Sequence, residues 1–576
     1  MSTTAAGRRR GAVLDDIAVI VMTGVIAGCG LIYEYLLANT AGRMLGAVES
    51  VIFAMIGVMI VSMGIGAFLA RFVREPFTGF AWLEATIAVL GGASVLLLGA
   101  ATAAAILLPQ AIAATYGLPP DLVPRGSLVA ALEAAAGVVP YALGALLGVL
   151  VGMEIPLLAR IRQSFHAARL DHNTGTIFGA DYVGAGVGAA LWVGVMLSME
   201  PVRAAYLTGA VNLVVGIAFL LCYRRLVRRF ALVVVLHALA GLGLVAVAQG
   251  GTDWARTMED LLYRDRVVYA ANTGHQRVAI TRRLVHADAA PILSLYLNGR
   301  LQFDSSDEHI YHAMLTYPAL AAAARRQRIL VIGGGDGLAV RDILRWNPRE
   351  VVVLDLDSDL VDLFTRPRFV DGAFVNRALL ALNGFAFRDN RVGVRFGDAY
   401  LGVDALLRDG RKFDAVIVDL PDPSHPDLAR LYSVRFYKKL RLLLAADGAI
   451  GIQSTSPYFA RKAFLSIGRT VEAAGFRHVD QYGHHVPSLG QWGWTVATRR
   501  GRSALDRLRA LDTLPVDDGF TTRDLLLGAF AFPKGYFDGR AEIAPGRLAD
   551  AAVYRYYRQG WEEATGIAAG RADGGP

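Results

Sequence analysis

Seven apolar runs, each close to the length that crosses a bilayer, fall within the first 250 residues of this 576-residue chain. They lie at 17–39, 50–70, 80–108, 128–158, 178–198, 204–223 and 230–249. A stretch of about 20 apolar residues spans the hydrocarbon layer. The first 250 residues therefore read as a multi-pass transmembrane α-helical bundle. Composition follows from this: 54% of residues are hydrophobic and only 19% are charged, which excludes a wholly soluble or disordered chain. The first run is not a cleavable signal, because it is long, carries Glu34 and is followed by further spans. The two cysteines, Cys29 and Cys222, sit in apolar stretches, which argues against a disulfide framework and against a cysteine zinc site.

The net charge is +8, and the basic residues of this half sit in its loops. Arg8, Arg9 and Arg10, then Arg71 and Arg74, then Arg160, Arg162 and Arg169, then Arg224, Arg225, Arg228 and Arg229 alternate with loops holding only Arg43, Arg125 and Arg203. The positive-inside rule puts the N-terminus in the cytoplasm. Seven crossings would put the rest of the chain outside, against the intracellular chemistry argued below. Either one run fails to cross, with 230–249 the weakest, or the second half faces out. No aromatic-interleaved basic stripe points to nucleic acid.

Glu34, Glu84, Glu133, Glu154, Asp181 and His237 lie inside candidate spans. Ionisable groups in a membrane are functional candidates. The five acids would line a path for an organic cation. The simpler reading is that they satisfy interhelical hydrogen bonds or sit near helix ends.

The pattern changes at Trp254. The division expected is a transmembrane domain over 1–250, a small β-hairpin or sheet subdomain over 251–305, a catalytic domain over 306–500 and a C-terminal extension over 501–576. Alternating runs at 277–281 and 293–297, the second followed by an Asn298-Gly299 turn, give the small sheet. From 308 onward, helical stretches separate buried-type strands at 329–332, 351–356, 392–396, 415–418 and 449–453. That alternation predicts an α/β doubly wound, Rossmann-like sheet of the methyltransferase type.

Four strand ends carry the chemistry. The strand Arg328 to Ile332 runs into Gly333-Gly334-Gly335-Asp336-Gly337. Its glycines let backbone approach a ligand, but no Gly-Lys-Ser/Thr follows and the spacing is not that of a dinucleotide fingerprint. The next strand ends in Asp355-Leu356-Asp357, about 20 residues on, where an acid can accept both ribose hydroxyls. Gly397-Asp398-Ala399 follows the third, where an acid could accept from an adenine amino group. Asp419-Leu420-Pro421-Asp422-Pro423 follows the fourth. Singly, each acid could cap a helix or form a turn; together they describe an adenosyl-sulfonium site.

Residues 255–500 resemble the polyamine aminopropyltransferases, the spermidine synthase family. The resemblance rests on Asp307-Glu308-His309-Ile310-Tyr311-His312-Ala313-Met314-Leu315, on the 333–337 and 419–423 motifs, and on Leu431-Tyr432-Ser433 with Phe436-Tyr437. Gly152-Met153-Glu154-Ile155-Pro156-Leu157-Leu158 and Ala180-Asp181-Tyr182 resemble the membrane-fused branch. The resemblance implies transfer of an aminopropyl group from decarboxylated S-adenosylmethionine to an amine, putrescine by default, yielding 5′-methylthioadenosine and spermidine. It implies that Gln276, Gln302, Gly333, Gly335, Asp355, Asp398, Ala399 and Pro426 line the nucleoside side. Asp336 would meet the donor's ammonium, Tyr311, His312 and Asp422 would lie on the polyamine side, and Asp419 would be the catalytic base. Decarboxylated S-adenosylmethionine is a co-substrate rather than a cofactor, and no metal is implied. A homo-oligomer embedded in the cell membrane is the expected assembly.

Some positions depart from the family pattern. Asp355 stands for the usual Glu, Ala399 for a common Gly, His275 where Tyr is frequent, and Leu489 of Pro487-Ser488-Leu489-Gly490 where Tyr faces the polyamine. The competing readings are a methyltransferase on the same sheet and a polyamine transporter or sensor whose second half binds without turnover. Asp336 opposes the first, since it would repel the carboxylate of ordinary S-adenosylmethionine. Retention of Asp419 opposes the second.

Overall fold

The computed structural model describes residues 2–45, 48–115, 127–165, 170–263, 265–286, 290–370, 373–374 and 376–565. The chain divides into two units, Met1–Val267 and Val268–Pro576.

The first unit is helical: its long apolar runs satisfy their backbone groups within each helix, as a membrane-crossing segment would have to. Its helices are Ser2–Leu45, Val48–Leu69, Pro76–Gly92, Ser94–Thr115, Ser127–Phe165, Leu170–Gly194, Pro201–Tyr223 and Phe230–Tyr263. Among the described residues, six helices are long and apolar enough to cross a membrane. A seventh candidate exists only if Pro76–Gly92 and Ser94–Ala104, bent by 51°, count as one span. The broken run is therefore 80–108, whereas 230–249, expected to be the weak one, lies in a candidate span of mean hydropathy 2.6. The physical reason is Gly91-Gly92. A Cβ on Gly91 would meet the Tyr33 ring at 2.3 Å, one on Gly92 would meet Leu244 at 2.3 Å, and the Ser94 hydroxyl takes the Gly91 carbonyl. An even number of crossings returns the chain to the side of its N-terminus; an odd number does not.

Glycines bring the helices into backbone contact. A Cβ on Gly184 would lie 2.0 Å from the Gly24 carbonyl, and one on Gly188 would lie 2.5 Å from that of Gly28. The small residues recur every four positions on both helices, which lets the two backbones approach closely. The side chains of Glu133, Arg8, Arg9, Arg10, Arg43, Arg125 and Arg169 lie outside the described residues.

In the second unit a four-stranded antiparallel sheet comes first: Arg266–Asn272, Arg277–Arg283, Ile292–Leu297 and Arg300–Asp304. Asn298 and Gly299, with φ of 50° and 79°, make its tight turn. Val278, Ile280, Leu293, Leu295 and Phe303 bury this sheet against Leu338, Leu360 and Phe364. The main sheet has seven strands. Their spatial order is His478–Val486, Gly490–Thr498, Leu444–Gln453, Phe413–Asp419, Arg328–Gly333, Glu350–Asp355, Val392–Phe396. The last five are mutually parallel, and the first two form an antiparallel hairpin at one edge. The strands expected at 329–332, 351–356, 392–396, 415–418 and 449–453 all appear, the second running over Glu350–Asp355 and so ending one residue before its expected end. Buried helices explain why the central strands are continuous apolar runs rather than alternating ones.

The chain winds outward from Arg328–Gly333 in one direction, then returns to its other side with Phe413–Asp419. The carboxyl ends of these two strands form the topological switch point, where ligands bind in such sheets. The segment after 500 packs back across this unit. Phe530 stacks near Tyr482 at 4.7 Å, and the helix Ala552–Thr565 lies on Arg461–Ala473, with Trp561 stacked on Phe459 at 5.2 Å.

Candidate active site

The glycine turn is dictated by its neighbour strand. Gly333 pairs with Asp419 in register, and a Cβ there would lie 2.0 Å from the Asp419 carbonyl oxygen. The Gly334 amide donates to that same oxygen at 3.2 Å. Gly333 and Gly334 have φ of 78° and 70°, open to glycine at little cost. Gly335 is small for a second reason: a Cβ would sit 2.8 Å from a carboxylate oxygen of Asp355, to which its amide donates. The turn therefore carries Asp336 between Asp355 and Asp419.

The helix Glu308–Ala322 supplies the opposite wall. The Tyr311 hydroxyl donates to Asp419 Oδ1 at 3.0 Å. Tyr311 packs near Trp494, with ring centroids 5.7 Å apart. One ligand atom each from His312, Asp336 and Asp419 lies within 4.8 Å of the other two. His312 Nδ1 contacts both the Glu308 carbonyl and Glu308 Oε2, at 2.8 and 2.9 Å. Arg341 grips Glu308 with two bonds, at 2.7 and 3.0 Å.

Charge follows from these contacts. Burial disfavours a cation at His312, but the Glu308 hydrogen bond and charge, with Asp336 and Asp419, outweigh it and hold the imidazole up at about 9. Burial also opposes ionisation of Glu308, yet His312 and Arg341 bring it down to about 2. Asp336 is pushed up to about 6, by burial first and by Asp419, with His312 opposing. Asp355 is likewise raised to about 6 by burial and by Asp357 and Asp336. Burial raises Asp419, against the stabilising charge of His312 and the Tyr311 hydrogen bond. Raised carboxyl groups gathered at a switch point mark it as a candidate acid–base site.

Asp422 stands three residues after Asp419, in the loop that follows the strand Phe413–Asp419. Gln453 Nε2 donates to it at 2.5 Å and Thr455 Oγ1 at 3.2 Å. Tyr557, from the C-terminal helix, also donates to it, and Arg300 Nη1 donates to the Tyr557 oxygen at 3.1 Å. Burial nonetheless raises Asp422. The Tyr432 hydroxyl donates to the Pro421 carbonyl at 2.8 Å and so pins the loop between the two acids.

The remaining expected residues divide. Gln276 does not meet Asp355; its Nε2 donates at 2.9 Å to Asp357, which also takes Thr273 at 2.7 Å and caps the helix Ser358–Leu363. Asp398 accepts from the Leu401 amide at 3.0 Å, capping the helix that begins at Ala399, and pairs with Arg430 at 2.5 Å. Pro426 opens the short turn that ends in Arg430, so it joins Asp398 through that pair. Gln302 donates to the Arg300 carbonyl of its own strand at 3.1 Å. Ser488 ties the 486–490 turn to Asp307 with two bonds, at 2.6 and 2.8 Å.

Sequence reading missed Glu308, Arg341, Gln453, Thr455, Arg300 and Tyr557. Glu308 carried a signal, four residues before His312 on a helix. Tyr557 carried none, being 135 residues from Asp422.

A doubly wound sheet with carboxylates converging at its switch point is the framework of a transferase. Residues 308–507 match the family described as the spermine/spermidine synthase domain. A polyamine aminopropyltransferase of Shewanella oneidensis is 48% identical over 98% of this chain and 99% of its own. Polyamine aminopropyltransferase 1 of Streptomyces coelicolor is 34% identical over 93% of each chain. The crystal structure of spermidine synthase from Thermotoga maritima superposes with a TM-score of 0.40 at 21% identity, covering 48% of this chain and 88% of that one. The chain belongs to the polyamine aminopropyltransferase family, and it is an enzyme of that class.

Proposed function

We propose that the second unit transfers the aminopropyl group of decarboxylated S-adenosylmethionine to an amine, putrescine by default, with Asp419 as general base. The observation that carries this reading is the contact of Asp419 with both Tyr311 and the glycine turn that bears Asp336. In the reaction the amine nitrogen attacks the methylene beside the sulfonium. A carbon–nitrogen bond forms, the carbon–sulfur bond breaks, and its electron pair neutralises sulfur in 5′-methylthioadenosine. The leaving group arrives already activated. The difficulty is the acceptor, which is an ammonium near neutral pH and must lose a proton before it attacks. Asp419 takes that proton.

The other acids position the reactants. Asp336 holds the donor's ammonium, Asp355 the ribose hydroxyls, and Asp398 with Ala399 and Pro426 the base. Gln276 acts on Asp355 only through Asp357. Asp422 holds the acceptor's second ammonium. His312, protonated, repels an ammonium, so its part is to balance the charge of Asp336 and Asp419 rather than to grip the polyamine.

The test uses purified full-length protein in detergent, decarboxylated S-adenosylmethionine and a panel of amines. Methylthioadenosine release that depends on one amine supports the reading and names the acceptor. Methyl transfer from ordinary S-adenosylmethionine, or amine binding without release, overturns it.

A further inference from the structure

Three side chains of the second unit each spend one polar atom on the fold and keep one back. His312 is 2% exposed, and its Nδ1 is taken by the Glu308 carbonyl and carboxylate, at 2.8 and 2.9 Å. Its Nε2 meets no hydrogen-bond partner among the described residues. Asp336 Oδ1 accepts from the Leu338 amide at 2.9 Å, and Asp419 Oδ1 accepts from Tyr311 at 3.0 Å. The second oxygen of each accepts from none of the described residues. The three side chains come from a helix, the glycine turn and a strand end, all fixed by the sheet.

One ligand atom from each lies within 4.8 Å of the other two, and no other three His, Cys, Asp or Glu side chains among the described residues meet that test. Atoms about 2.0–2.2 Å from a zinc ion stand about 3.4 Å apart in a tetrahedron, so a turn of the two carboxylates closes the set. Behind the imidazole stands Glu308, itself held by Arg341 at 2.7 and 3.0 Å. A metal-bound imidazole is ordinarily oriented in this way, by a carboxylate on its other nitrogen. Asp419 is oriented in turn by the Tyr311 hydroxyl. The three ligands are thus already braced, which a chance gathering of acids is not.

We propose that His312, Asp336 and Asp419 bind one first-row divalent metal ion of the Zn2+ kind when no donor occupies the site, and that this ion inhibits the enzyme. An imidazole nitrogen beside two carboxylates suits such an ion, whereas Mg2+ and Ca2+ want oxygen ligands throughout. On binding, the Nε2 proton leaves to water. The ion's two positive charges then take over that proton's part in balancing Asp336 and Asp419. The inhibitory role rests on the aminopropyltransferase reading, since the ion occupies the carboxylates that meet the donor's ammonium and take the acceptor's proton. The metal site itself does not rest on it.

Calorimetric titration of Zn2+ into the chelator-washed full chain in detergent tests this. The wild-type chain should take up one ion. His312→Gln and, separately, Asp336→Asn should each weaken that uptake by at least about 10- to 100-fold, the loss that even an outer partner of a metal ligand brings. Should His312→Gln not fold, Asp336→Asn decides. Saturating decarboxylated S-adenosylmethionine should block uptake, and Zn2+ should inhibit methylthioadenosine release in competition with that donor. No uptake, or uptake undisturbed by both substitutions, overturns the site. Release that stops on chelation and returns with Zn2+ overturns the inhibitory role. A metal-free chain that binds no donor, yet takes up one ion through His312 and Asp336, refutes the catalytic reading and leaves the site standing.

Discussion

The Tyr311 hydroxyl donates to Asp419 Oδ1 at 3.0 Å, and it does so from a helix that packs against the sheet rather than from the sheet itself. That bond favours the ionised carboxylate. Replacing Tyr311 by Phe removes it. Loss of one hydrogen bond to a charged group is expected to lower kcat about 10- to 100-fold. The Asp419 carboxyl should bind its proton more tightly, so the acid limb of the pH–rate profile should move to higher pH. A drop in rate with an unmoved limb would make the tyrosine merely structural.

Asp336 and Asp355 are both raised to about 6. Each acts as a carboxylate in the proposed reaction. Activity should therefore be full above that range and fall as pH drops through about 6. Steady-state rates from acid to neutral pH check this. A rate flat down to the ordinary carboxylate range would contradict it.

Glu308 forms a buried pair with His312 and Arg341. Its folded value is lowered to about 2, so its contribution to stability is present above the unfolded value of 4.5 and is lost as pH falls toward 2. His312 is raised to about 9, so its contribution is full below 6.5 and is lost as pH rises through about 9. Glu308→Gln removes the carboxylate that both cations share, leaving Arg341 with Asp342 and His312 with the charges of Asp336 and Asp419. It should cost about 3–5 kcal/mol in urea or thermal unfolding of the second unit.

Tyr557 touches Asp422 from the C-terminal helix and takes a hydrogen bond from Arg300. Tyr557→Phe should raise KM for the amine several-fold and leave kcat and KM for the nucleoside nearly unchanged. Equal changes in both KM values would place its effect on folding instead of on the acceptor side.

Much of this site was legible because its parts are local. Strand, glycine turn and acid follow one another within ten residues at Arg328 to Gly337, and strand periodicity plus turn chemistry is enough to read them. The same holds for Asp355, Asp398 and Asp419. What stayed hidden depends on contacts across the fold. Gln276 reads as a partner of the nucleoside side, but its amide goes to Asp357, set by how the small sheet packs on the main one. Tyr557 reaches Asp422 only because Gly560 lets its helix approach the backbone at Phe459 and Ala460, where a Cβ would meet the Phe459 carbonyl at 2.5 Å. In the helical unit, hydropathy located the runs but not the bend at Ala93, which is set by what Gly91 and Gly92 touch.

The most direct measurement is methylthioadenosine release by purified full-length protein and by its Asp419→Asn variant, each with decarboxylated S-adenosylmethionine and putrescine. Asn keeps the size of the side chain and the position of the Gly333 turn but cannot take the amine's proton. The account predicts amine-dependent release by the wild-type chain and a loss of about 100- to 10,000-fold in the variant, the range for removing a general base. Release by the variant at the wild-type rate would contradict it.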